Sequence, residues 1–350
     1  MFSSTSVRFR KQQLLIYIGL GALLAGVIIL SLMYGAVTIS GLQVLAILSD
    51  SVKISLPISF TPLEQNIILY LRLPRVLLAV VVGAGLATSG TVMQGLFRNP
   101  LAEPGLLGIA SGAALAAAAV TVLGKSLWLG VYTLPLAAFA GSLVTSFLVY
   151  GLAHSNSQRT SVATLLLAGI AINALAGALI NLLVYLASTE QLRILLFWSM
   201  GSLGNATWTQ VLIAAPLIGI VTVSLPVYGR GLNVLLLGEA EAQYLGFNVE
   251  RMKRTLLMLV ALSVGTAVAV AGTIAFIGLI VPHWLRLWIG SDHQRLLPAT
   301  ALLGASLLVS ADLLARLVIA PAELPIGVIT ALLGAPFFLG LLWQQRGQFH

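Results

Sequence analysis

Residues 76–97 read VLLAVVVGAGLATSGTVMQGLF, with Arg75 before them and Arg98 after. No charge interrupts the stretch. A hydrocarbon core about 30 Å thick needs about 20 apolar helical residues to cross it, so this segment reads as a membrane span. Seven other stretches are equally free of Asp, Glu, Lys and Arg: 12–49, 104–124, 126–158, 160–189, 194–229, 255–285 and 324–345. Across 350 residues, 59% are hydrophobic and 8% charged, where a soluble domain carries about 25% charge. Disorder, a soluble enzyme and a secreted disulfide scaffold are excluded. The chain has no cysteine, which removes disulfides, thiolate metal sites and iron–sulfur ligation. The sequence predicts a single all-α polytopic membrane domain over 1–350.

Polar breaks divide it into about ten spans, near 13–34, 65–96, 106–123, 130–152, 161–187, 208–228, 255–274, 277–289, 297–318 and 326–344. The first follows Arg8, Arg10 and Lys11 and is too long for a signal-peptide core, so it is expected to be retained. Ten spans place both termini on one side. Counting basic residues in loops and at span ends, twelve of the 18 fall on the N-terminal side, which predicts cytoplasmic termini. The outward exceptions include Arg72, Arg75, Arg193 and Arg316. The net charge of +8 is spread over short loops without an aromatic-interleaved stripe, so it reads as topology rather than nucleic-acid binding.

Two further patterns bear on architecture. Ser89-Gly90-Thr91-Val92 followed by Asn99-Pro100 matches Ala271-Gly272-Thr273-Ile274 followed by Val281-Pro282 at the same spacing. This pairs spans 2–5 (62–187) with spans 7–10 (255–344), inverted because an odd number of crossings separates them, as in many transporters. Helix breaks are expected at Ala271-Gly272-Thr273 and at Val281-Pro282-His283, where surrounding protein must satisfy the freed backbone groups. Gly108 and Gly112 form a small-residue spacing that suits close packing within the chain.

Few side chains carry chemistry. Gly124-Lys125-Ser126 resembles the tail of a phosphate-binding loop, but position 119 is alanine and an apolar span precedes it, so no ATPase site is read here. His154, His283, His293 and His350 form no metal-ligand pair. Asp312 has Arg316 four residues on, which predicts a neutralising pair. Glu103 and Glu323 each precede a proline near a helix start, where a carboxylate can accept free N–H groups. The segment 229–254 concentrates charge: Arg230, Glu239, Glu241, Glu250, Arg251, Lys253 and Arg254. Within it Gly238-Glu239-Ala240-Glu241-Ala242-Gln243-Tyr244-Leu245-Gly246 reads as a short helix closed by glycine. With Tyr244, Leu245 and Phe247 on a charged loop, it suits docking to another protein.

At this point the chain resembles the FecCD-type ABC-importer permeases. Arg72-Leu73-Pro74-Arg75, the run from Gly90 through Asn99-Pro100-Leu101-Ala102-Glu103-Pro104-Gly105 to Gly108, Leu237-Gly238-Glu239, Tyr244-Leu245-Gly246, Phe276-Ile277-Gly278-Leu279-Ile280-Val281-Pro282-His283 and Glu323-Leu324-Pro325-Ile326-Gly327 carry the likeness, in family order. The resemblance implies a ten-helix subunit of the bacterial inner membrane that pairs with a second copy. It also implies two cytosolic ATPases holding ATP and Mg, a periplasmic binding protein, and a cargo of iron–siderophore, haem or cobalamin. The spelling most resembles haem permeases, so haem is favoured; this chain itself is expected to bind no cofactor or metal. Carried over by motif, Gly238, Glu239, Glu241, Tyr244, Leu245, Gly246 and Phe247 would form the ATPase-coupling helix. Arg72, Arg75 and Arg316 would pair with acids of the binding protein, and Val162 and Ala163 fall where the inner gate lies. The rival class is a stand-alone secondary transporter with Asp312 as proton relay.

Overall fold

A computed structural model describes residues 2–124, 130–154 and 162–346. Its α-helices run in order α1 (Phe2–Met33), α2 (Gly41–Ser51), α3 (Pro62–Asn66), α4 (Leu73–Leu96), α5 (Ile109–Leu123), α6 (Thr133–Ala153), α7 (Val162–Leu186) and α8 (Thr189–Ser199). Then come α9 (Trp208–Ser224), α10 (Gly229–Leu235), α11 (Glu239–Tyr244), α12 (Val249–Ala271), α13 (Ile277–Ile289), α14 (His293–Leu317) and α15 (Ile326–Arg346). No strand occurs among the described residues. Among the described residues seven helices are long and apolar enough to cross a bilayer, and shorter apolar helices lie at Ile109–Leu123, Ile277–Ile289 and Ile326–Gly340.

The centre of the molecule is α4, most of whose residues from Val76 to Leu96 are buried. Its small residues explain how. At Gly83 the helix meets the backbone of Gly304 on α14, and at Gly90 the backbone of Gly278 on α13; a Cβ fits at neither. Where no water competes, such close backbone approach supplies the dispersion contacts that hold helices together in lipid. Gly112 and Gly141 bring α5 and α6 together in the same way, so the small-residue spacing serves packing within the chain, as expected.

The two halves exchange partners. Helix α4 packs on α13 and α14, whereas α12 packs on α5 and α6, and each half also packs within itself.

Prolines set the irregularities. Pro74 has no N–H, and the chain ahead of it widens into a π-helix over Ile67–Arg72, with Leu73 N–H bonded to Ile68 O. The carbonyl of Leu69, freed by the change of ladder, accepts the indole N–H of Trp208 at 2.9 Å. The break after α12 occurs where expected. Gly272 adopts φ +69° and Phe276 φ +68°, and neighbours take up the backbone groups. Ser202 N–H donates to Ala271 O at 2.8 Å, and the turn after α8 that supplies it is held in turn by Ile326 and Gly327 N–H, which donate to Gly201 O and Met200 O, each at 3.1 Å. The second expected break is corrected: α13 continues through Pro282. The carbonyl four residues back, Gly278 O, would be orphaned by the proline, and Gln94 Nε2 of α4 donates to it at 3.1 Å. Gln94 Oε1 in turn accepts from Arg286.

The charged segment 229–254 differs from the expected loop in being mostly helical. Helix α12 starts at Val249, several residues earlier than the expected span, because the Asn248 side chain accepts Arg251 N–H at 2.9 Å and Glu250 sits in its first turn.

Candidate functional site

Two polar regions lie at opposite ends of α14, whose 25 residues span about 37 Å.

At its N-terminal end stand α10 and α11. Gly238 opens α11 at φ +137°, a backbone setting nearly confined to glycine, and the Glu241 carboxylate folds over it. Phe247 N–H bonds Ala242 O and Gly246 N–H bonds Gln243 O, with Gly246 at φ +85°. This is a Schellman closure and matches the expected glycine stop. Tyr244 is 91% exposed and Leu245 61%, while Phe247 is half-buried. Two contacts absent from the sequence reading hold the unit in place. Buried Lys253 of α12 reaches Glu239 at 2.7 Å, so Glu239 faces its own chain. Asn233 of α10 donates to Asp292 at 2.6 Å and accepts the backbone N–H of His293 at 2.8 Å. Glu250 accepts from the Tyr150 hydroxyl at 3.2 Å, tying α12 to α6.

At the other end, Arg75 and Arg316 converge on Asp312. Arg75 Nε lies 2.9 Å from Asp312 Oδ1, and Arg316 Nε lies 3.2 Å from Oδ2. The i, i+4 pairing is as expected; the second arginine was not foreseen. Arg75 Nη1 also meets Glu323 Oε2 at 2.9 Å. Arg72 donates to the carbonyls of Leu32 and Met33 at 2.6 and 3.0 Å, and to that of Val37. Arg316 donates to Tyr34 O at 3.1 Å and to Ser31. All three arginines and Asp312 are buried. Their heads therefore turn inward, since carbonyls at the end of α1 and the Asp312 charge need donors.

The Glu323 carboxylate is held by Arg75 Nη1. Glu103 makes no side-chain capping bond to the turn that follows it; burial pushes its carboxyl above the usual carboxylate range. Val162 and Ala163 begin α7, half-buried and exposed respectively. His283 meets the edge of Phe337 at 5.6 Å. No cluster of three metal-ligating side chains occurs among the described residues. Lys125, Arg159 and His350 lie outside the described residues.

The missed residues share a signal. Gln94, Asn233 and Lys253 each place a polar group in or beside an apolar span, which asks for a partner. The partner's identity is set by tertiary packing.

The fold is therefore that of a multi-pass membrane protein with a polar cluster fixed at each end of one helix. A model of the FecCD transport family matches residues 23–344, and the chain belongs to that family. It is 54% identical over 285 residues to the hemin transport system permease protein HmuU of Yersinia pestis, covering 81% of this chain and 85% of the relative. It is 46% identical over 278 residues to the cobalamin import system permease protein BtuC of Halobacterium salinarum, covering 79% and 73%. A solved structure described as an inward-facing metal-chelate type ABC transporter superposes with TM-score 0.82 at 34% identity, covering 93% of this chain and 98% of the other.

Proposed function

We propose that this chain is the permease subunit of an ATP-driven importer in a bacterial inner membrane, with haem as cargo. Its termini lie in the cytoplasm, and the two repeats, 62–187 and 255–344, rock against each other in alternating access. A second copy completes the pathway, two cytosolic ATPases bind and hydrolyse ATP with Mg, and a periplasmic binding protein delivers the cargo. Ferric siderophore and cobalamin are the alternative cargoes; the 54% identity to a hemin permease, against 46% for the cobalamin relative, favours haem.

The observation that carries this reading is α11. A six-residue helix that leaves Tyr244 and Leu245 bare, while Gly238 N–H bonds Leu235 O of α10 and Glu239 pairs with Lys253 of α12, suits a rigid lever pressed by another protein. Glu241, Tyr244 and Leu245 are the contact residues, and Gly238, Glu239, Gly246 and Phe247 shape the helix. On α7 only Leu165, Gly169, Ala176 and Leu183 are buried, which leaves an apolar flank for the second copy; Val162 and Ala163 then stand at the inner mouth of the shared pathway.

The test is uptake by vesicles holding the permease with its ATPase and binding protein. Haem accumulation that needs ATP and all three components is the expected result. Uptake without nucleotide, abolished by an Asp312→Asn variant of wild-type thermal stability, would instead establish the proton-coupled class.

A further inference from the structure

A cavity of about 430 Å³ opens where the end of α9 and the start of α10 meet the first turns of α12. Arg230 and Arg251 line it with Tyr228, Thr255, Val227 and Met252, and no acidic side chain does. Both arginines are exposed. The nearby acids are engaged elsewhere, Glu250 with Tyr150 and Glu239 with Lys253, and neither arginine has an ion pair among the described residues.

The approach to this cavity is apolar. Ile220, Val223 and Val227 are 66%, 78% and 79% exposed. Ile220 and Val223 lie three apart on one face of α9; Val227 follows in the 3-10 turn Leu225–Tyr228, and Arg230 in the first turn of α10. An apolar track ending in two unpaired guanidinium groups, at the end of a membrane span, has the polarity of an anionic amphiphile. Arginine matches phosphate oxygens with paired donors, and basic pockets at the ends of transmembrane helices take anionic lipid headgroups.

We infer that this cavity holds the phosphodiester headgroup of one anionic phospholipid, clamped by Arg230 and Arg251, with an acyl chain lying along Ile220, Val223 and Val227. The inference does not depend on cargo or on the ATPase.

The test is native mass spectrometry of the full-length permease in nanodiscs containing phosphatidylglycerol and phosphatidylcholine, with phosphatidylglycerol titrated. One phosphatidylglycerol per chain is expected to bind in preference to phosphatidylcholine. Each basic residue at an anionic surface contributes about a fivefold effect, so Arg230→Gln with Arg251→Gln should weaken that binding roughly 30-fold. Arg254→Gln, equally exposed but outside the cavity, should leave it unchanged. Val223→Ser with Val227→Ser, which keeps both arginines, should also weaken it, and free inorganic phosphate should not compete. Unchanged lipid retention in the double arginine variant overturns the site, as does an equal loss with Arg254→Gln. Competition by inorganic phosphate reassigns the cavity to a free anion. Loss of ATPase co-purification with lipid retention intact reassigns it to a protein contact.

Discussion

Arg75 and Asp312 are 237 positions apart in sequence, and their side chains meet at 2.9 Å. The contact joins the first turn of α4, the most enclosed helix of the first half, to the last turns of α14 in the second. Through Arg316 and Glu323 it also reaches the end of α1 and the turn before α15. Asp312 thus acts as a fixed counter-ion between two arginines.

Removing that charge leaves Arg75 and Arg316 facing each other with only Glu323 to balance them. Losing one member of a buried pair costs about 3–5 kcal/mol. Asp312→Asn should therefore lower the unfolding temperature of the purified permease sharply, and Asp312→Glu much less. A variant with wild-type thermal stability but no uptake would contradict the structural role and restore the proton-relay reading.

At the far end of α14 the pair Lys253–Glu239 fixes α11. Glu239→Lys sets two cations together, one of them buried, and should loosen 239–247 by about 1–3 kcal/mol. Exchanging both, Glu239→Lys with Lys253→Glu, should restore order. Hydrogen exchange over 239–247 reads this directly. Glu241→Lys, which has no basic partner among the described residues, should leave exchange unchanged yet reduce ATPase co-purification. Equal ATPase retention in that variant would remove α11 as the docking element.

How far the sequence reaches is visible in these residues. Charge-free lengths locate the spans, and the spacing of Asp312 and Arg316 predicts their pairing, because both signals are local. The short helices α2 and α8 carried a legible mark too. Ser40 with Gln43 and Ser188 with Gln191 are capping boxes, masked by the apolar composition around them. Arg75 was different. Read locally it is one of the outward exceptions to the basic-residue bias, and nothing local discloses an acid more than 200 residues away. Pro282 misled for a related reason: a proline ends a helix unless something else satisfies the carbonyl it frees, and Gln94 comes from another helix.

That bond gives a further expectation. Gln94→Leu strands Gly278 O and takes a partner from Arg286, for a loss of about 1–3 kcal/mol. Gln94→Glu keeps an acceptor for Arg286 but not the donor, and should fall between wild type and Gln94→Leu in thermal unfolding. Equal stability of all three would show the bond to be dispensable.

Glu103 lies in the turn after α4, and burial raises its carboxyl above the ordinary value of 4.5. The folded state then holds this proton more tightly than the unfolded one. Its contribution is fully present below the unfolded pKa and is lost as pH rises through the folded pKa. Stability should therefore fall with rising pH across that window, and Glu103→Gln should flatten this part of the profile and raise stability at neutral pH. Denaturant midpoints measured from pH 4 to pH 8 check it, and identical profiles for the two proteins would contradict it.

The proposed docking of the binding protein at Arg72, Arg75 and Arg316 is sharpened by their burial. Reversing these charges would damage the fold and say little about docking. Glu323 offers a cleaner probe. Its side chain is 45% exposed where that of Arg75 is 10%, so an incoming carboxylate competes with Glu323 for the guanidinium. Glu323→Gln removes this internal competitor and leaves the cluster one positive charge richer, while Asp312 still sits between Arg75 and Arg316. If the arginines receive acids of the binding protein, the variant should associate faster, by roughly two- to fivefold for one partly exposed pair. The gain should shrink with added salt. Surface plasmon resonance with the complex in nanodiscs measures both. An association rate equal to wild type at every salt concentration, in a variant with normal thermal stability, would mean that the three arginines only fasten α1, α4 and α14 together.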